Sequence, residues 1–136
     1  MLLLNYGHYI RQQLMHLICR TKEEMHKNLD KIKNEAQQQC NTIRDVTTGM
    51  LYKGLQASGV LQWGDLTLTF NTDGSPLYES SNFSVWLIQF IVNELPTSHR
   101  FQNCILAGLW FGPRHPGMTM FLDKFVDAMD AVGCLT

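Results

Sequence analysis

Leu66-Thr67-Leu68-Thr69-Phe70-Asn71-Thr72-Asp73 is the stretch on which the fold turns. Leu66, Leu68 and Phe70 alternate with Thr67, Thr69 and Asn71. Side chains that switch faces at every residue make this the pattern of a half-buried strand over 66–73. Gly74-Ser75-Pro76 is expected to turn the chain. Residues 83–95, rich in β-branched and aromatic side chains, predict a second strand that Pro96 stops. The continuous apolar run 104–111 predicts a third strand covered on both faces. After a loop over 112–117, Phe121, Leu122, Phe125, Val126 and Met129 mark a helix, with Asp123, Asp127 and Asp130 opposite them.

Upstream of the first strand the period changes to that of a helix. Ile10, Leu14, Leu17 and Ile18, then Met25, Leu29, Ile32 and Ala36, fall at steps of three and four over 9–39. Thr21, followed by Glu23 and Glu24, has the form of an N-cap with an acidic first turn, so two helices meet near Arg20 and Thr21. A third helix is expected over 43–55, with Ile43, Val46, Met50 and Leu51 on one side. The order is three helices, three strands and a helix, an α/β chain with a helical N-terminal region over 1–57 and a sheet-forming region over 58–136. A helix that crosses over after the third strand normally delivers a parallel strand next. No such strand follows in this sequence.

With 136 residues, a chain of this kind forms one folding unit and not a large two-domain enzyme. Eleven Lys and Arg against twelve Asp and Glu leave a formal charge of −1, which gives no global attraction to nucleic acid or acidic membrane. Over residues 9–45 the seven basic residues Arg11, Arg20, Lys22, Lys27, Lys31, Lys33 and Arg44 face five acids, too slight an excess to define a DNA site. Cys19, Cys40, Cys104 and Cys134 are widely spaced and read as reduced thiols of an intracellular protein. The apolar run 1–4 ends too soon for a signal core, and no stretch approaches the roughly 20 apolar residues that span a bilayer.

Few residues carry chemistry. Asp73 lies at the end of the first strand on the Thr67, Thr69 and Asn71 face, where a carboxylate can hold a divalent metal; Asp73-Gly74 is equally a turn signal. Residues 112–119 mimic the spacing of a phosphate-cradling loop. They fail on chemistry, because Met118 stands where Lys is needed and Pro113 and Pro116 lack N–H donors. Arg114 and His115 remain candidates for contact with a phosphate backbone. Asp123, Asp127 and Asp130 read as a solvated face. His16, Cys19, His26 and Cys40 lack the close pairs that anchor zinc. No nucleophile elbow is visible and no small-molecule substrate is evident.

Five ordered blocks carry a resemblance. Residues 69–78, reading Thr-Phe-Asn-Thr-Asp-Gly-Ser-Pro-Leu-Tyr, are followed by Phe83-Ser84-Val85-Trp86, by Asn93-Glu94-Leu95-Pro96, by 106–112, and by Pro116 with Phe121-Leu122. Together with Ile43-Arg44-Asp45-Val46, Gly49 and Leu51-Tyr52 ahead of them, they resemble the N-terminal part of CACTA-type transposases. The resemblance covers roughly 43–132. It implies an RNase H-like fold that opens strand, strand, strand, helix, and a site in which a first-strand carboxylate joins two later acids around two Mg²⁺ or Mn²⁺ ions for DNA strand transfer. Asp73 matches that first carboxylate. DNA or a full-length transposase as partner, and a nuclear location, follow from the resemblance alone.

Departures from the family pattern matter too. Leu87 stands where proline usually follows the tryptophan. The fourth strand with the second acid, and the segment with the third, have no counterpart here, and residues 133–136 do not resemble the approach to that strand. The expectation is therefore a partial RNase H-like unit, catalytically silent by itself, with an exposed first-strand edge and an apolar patch. The alternative is a domesticated interaction module that uses helices 9–39 and the exposed edge. A working metal nuclease is the third reading.

Overall fold

The computed structural model describes residues 6–38, 42–77 and 82–133. Cys40, Cys134, Tyr78, the apolar run 1–4 and the tail 134–136 lie outside them. Helices α1 (Tyr6–Arg20) and α2 (Lys22–Gln37) come first, followed by a 3-10 turn (Val46–Thr48) and α3 (Met50–Ala57). Strands β1 (Leu68–Pro76) and β2 (Ser84–Val92) follow, then the short α4 (Thr97–Arg100) with a 3-10 turn, β3 (Ile105–Gly112) and α5 (Met118–Val132). The chain is thus a mixed helix and sheet fold, and its strands form one antiparallel sheet in the order β1-β2-β3.

The pairing explains the faces. Leu68 lies opposite Val92, Phe70 opposite Phe90, Thr72 opposite Ile88 and Gly74 opposite Trp86. Period two puts these residues on one side of the sheet. That side is the covered one: Ile88, Phe90 and Val92 share a single core with Ile10, Leu14 and Leu17 of α1, Met25 of α2, and Phe121, Phe125 and Val132 of α5. On the other side stand Thr69, Asn71 and Asp73 of β1 with Leu87, Gln89 and Ile91 of β2. A register shift in the β2–β3 ladder after Ile88 restores the inward position of Ile105 and Ala107. A second, smaller cluster joins Ile32 of α2 to Tyr52 of α3 and Leu61.

Four local expectations give way. Thr21 does separate α1 from α2, but its hydroxyl donates back to the Leu17 carbonyl at 2.7 Å and caps nothing. The third helix starts at Met50, because the Asp45 carboxylate accepts the Val46 N–H and Thr48 closes a reciprocal capping box, which winds 46–48 into a 3-10 turn first. Ile43, Val46, Met50 and Leu51 consequently face solvent, and the residue of α3 that is buried is Tyr52. The run 104–111 is covered on one face only, with Leu106 and Phe111 exposed on the other. Finally, 74–76 do not turn the chain: β1 continues through Pro76, and Leu77 closes the connection by donating to the Phe83 carbonyl.

Gly74 stays in the strand because of Trp86. A Cβ at Gly74 would lie 2.2 Å from Cε2 of the indole packed over it, so the glycine is there to seat an aromatic ring against bare backbone. Gly74→Ala is expected to lower stability by about 1–3 kcal/mol through overpacking. Gly54→Ala, whose added methyl on α3 meets nothing within 4 Å, is expected to raise it by about 0.5–1 kcal/mol. Urea denaturation checks both, and an alanine at 74 without loss of stability would contradict this seating of Trp86.

Candidate functional site

Asp73 lies in β1 opposite Leu87, on the uncovered side of the sheet, with its side chain in solvent. Its carboxylate accepts the Gly74 N–H at 2.8 Å. Of the two readings the sequence left open, the turn is not the one adopted. β1 is an edge strand, and among the described residues no strand pairs with its outer side. Antiparallel order brings Pro76, Ser84 and Gly112 to the same end of the sheet, so the loop carrying Arg114 and His115 lies at the Asp73 end. Two strand spacings, about 10 Å, separate β1 from β3. Arg114 and His115 are both exposed, and the Trp110 indole N–H fixes the loop by donating to the Arg114 carbonyl at 3.0 Å.

The donor set at Asp73 decides what it can hold. Mg²⁺ demands an octahedron of hard oxygen ligands, and two-metal chemistry demands several carboxylates between the ions. Among the described residues no set of three or more His, Cys, Asp or Glu side chains comes together. Asp123, Asp127 and Asp130 all lie exposed on α5. His16, Cys19 and His26 are exposed as well, and the His26 Nδ1 pairs with the Lys22 carbonyl of its own helix.

A more elaborate polar cluster lies at the opposite end of the sheet, where sequence reasoning proposed nothing. Glu94, fully buried just after β2, accepts the Tyr52 hydroxyl at 3.0 Å, the Thr67 N–H at 2.8 Å and the Thr67 hydroxyl at 2.7 Å. Its carbonyl accepts the Asn28 amide at 2.7 Å. Asn93 beside it bonds Thr67 and Thr69. Arg100, also buried, forms a bidentate pair with Asp45 at 2.7 and 2.8 Å and donates to the carbonyls of Asn93 and Leu95. Burial pushes the Glu94 carboxyl above its ordinary range, against the donors that pull it down. Burial and the neighbouring Glu94 charge push the Tyr52 phenol up. The Arg100 guanidinium holds Asp45 below its ordinary range and is itself raised by that carboxylate.

The carboxylates and the guanidinium of this cluster are engaged with groups of the chain itself, although the Arg100 Nε is buried without a partner among the described residues, so the cluster serves architecture. The two carboxylates act on stability with opposite sign. Asp45, lowered from 3.8, contributes stability above that value that is lost as pH falls through its folded pKa. Glu94, raised from 4.5, binds its proton more tightly when folded, so stability falls as pH rises from 4.5 through the folded pKa. Glu94→Gln is expected to remove the decline on the upper side and Asp45→Asn the decline on the acid side, read from urea midpoints across pH. Tyr52→Phe, which deletes one donor to the buried carboxylate, is expected to cost about 1–3 kcal/mol. A Glu94→Gln profile parallel to wild type would refute this assignment.

In comparison with family models, curated proteins and solved structures, the chain matches none of them.

Proposed function

We propose that these residues are the opening strand-strand-strand-helix part of a CACTA-type, RNase H-like transposase core, catalytically silent by themselves. DNA or a full-length transposase is the chain's partner in this reading, and the nucleus its place of action. The observation that carries the reading is the path of α5. This helix starts beyond β3 at one edge of the sheet, and in its middle the Phe125 ring lies 5.0 Å from Phe70 on β1 at the other edge. β3 runs parallel to β1, so a strand continuing from such a crossover would lie beside β1 and parallel to it, next to Asp73. The uncovered β1 edge, the outward carboxylate of Asp73 and the five sequence blocks support the same assignment. Arg114 and His115, at the Asp73 end of the sheet, are the basic groups assigned here to a DNA backbone.

The test is a chimera that joins residues 1–133 to the segment following the equivalent helix of a CACTA-type transposase. The expected result is Mn²⁺-dependent DNA cleavage that Asp73→Asn abolishes, while the native chain cleaves nothing. A folded chimera without activity, or one indifferent to Asp73→Asn, would sink the assignment.

A second reading, a domesticated interaction module, is favoured by the uncovered side of the sheet. Val85, Leu87, Ile91 and Leu109 are only partly covered there, and Phe83 stacks on Phe111 with ring centroids 5.4 Å apart in an exposed position. It predicts co-elution of the chain with a full-length transposase. Separate elution of the two at micromolar concentration would count against it.

A further inference from the structure

Helix α3 carries apolar side chains on two faces, and the core uses one of them. Tyr52 and Leu55 turn inward, towards Ile32 and Leu61. At 3.6 residues per turn, Met50, Leu51, Gly54, Ala57 and Ser58 share the opposite side, and all five are exposed. Met50 is 82% and Leu51 79% exposed, and Val60, just beyond the helix, is 72% exposed. Val46, in the turn ahead of α3, is in solvent as well. Large apolar side chains gathered in this way, rather than scattered singly, mark an interaction surface.

Two features define what fits this face. The first is its lack of charge. Lys53, the charged residue of α3, lies to the side of the face, and the Ser58 hydroxyl is engaged by its own helix, donating to the Leu55 carbonyl at 3.0 Å. A second copy of the chain therefore meets the face without like-charge repulsion and without burying an unpaired charge. The second feature is shape. Gly54 stands at the centre of the face, with no atom within 4 Å of the place a Cβ would take. Bulky Met50 and Leu51 precede it by four and three residues, and small Ser58 and Ala57 follow it by four and three. A two-fold axis through Gly54 that sets two α3 helices antiparallel brings Leu51 of one copy against Ala57 of the other, and Met50 against Ser58. Each large side chain then meets a small one, so the face is complementary to itself.

We propose that the chain forms a two-fold dimer through α3, with the two helices antiparallel and crossed closely at Gly54. A glycine at the crossing lets the axes approach to the short end of the roughly 8–10 Å range of packed helices. Helices of two turns do not cover the roughly 1,600 Å² of a standard interface, so the dimer is a reversible one that forms at micromolar concentrations. The inference does not rest on the transposase reading: α3 packs at the Glu94 end of the sheet through Tyr52, whereas Asp73 and the Arg114 loop lie at the other end.

The test is sedimentation velocity of the full chain at concentrations from about 1 to about 200 μM. The expected result is a passage from monomer to dimer within that range. Gly54→Gln, whose Cβ meets nothing within 4 Å in the single chain, and Leu51→Lys are each expected to raise the dissociation constant at least about tenfold, with the circular dichroism spectrum retained. Ala57→Glu is expected to do the same. An equimolar mixture of the Leu51→Lys and Ala57→Glu chains is expected to recover the dimer, because positions 51 and 57 face each other across the axis and their opposite charges then pair. A wild-type chain that stays monomeric at the highest concentration, a dimer indifferent to both Gly54→Gln and Leu51→Lys, a mixture that recovers nothing, or a monomer that sediments instead with phosphatidylcholine vesicles would overturn the proposal.

Discussion

Glu94 is the group around which α2 and α3 are fitted to the sheet. A carboxylate without solvent access is tolerable only where donors replace the water it gives up. Here the replacement comes from two elements: Thr67 just ahead of β1 and Tyr52 on α3. The Glu94 carbonyl adds Asn28 of α2. Apolar contacts would allow α2 and α3 to slide over the sheet at modest cost, since burial has no preferred direction. Hydrogen bonds to a buried charge do not allow it. Arg100 does the same for the 3-10 turn before α3, because its bidentate hold on Asp45 fixes the residue that caps that turn.

Little of this was legible in the sequence, and the reason is separation. The donors to Glu94 stand 27 and 42 residues away along the chain and its carbonyl partner 66 away, so no local pattern marks it. Locally, Asn93-Glu94-Leu95-Pro96 offers only a strand end, a proline stop and one of the blocks that carry the resemblance. What periodicity reports well is burial on one face of one element. It placed α1, α2, β1, β2, β3 and α5 in the right order and put Asp73 on the outward side of β1. It failed where a short polar motif competes with it: Ile43, Val46, Met50 and Leu51 have helical spacing, yet Asp45 and Thr48 impose a tighter turn and leave all four in solvent. It failed again at Gly74, where a turn signal was overruled by the indole of Trp86 in the neighbouring strand. Asp73 itself carried a meaning only through the blocks around it, since a lone carboxylate has no spacing to read.

The structure divides its labour between the faces of one sheet. The continuous core formed by α1, β2, β3 and α5 holds the covered face together. The other face has no helix over it among the described residues, and among them no strand pairs with the outer side of β1. Edges of this kind invite strand addition unless charge or proline blunts them. β1 has Asp73 and Pro76 near its end, whereas β3 runs from Ile105 to Gly112 without a charged residue. The two edges are thus unequal in chemistry as well as position, acidic beside β1 and without charge along β3. That inequality leaves the β1 edge carrying the charge and the proline that discourage unspecific strand addition, on the same strand whose outward face carries Asp73.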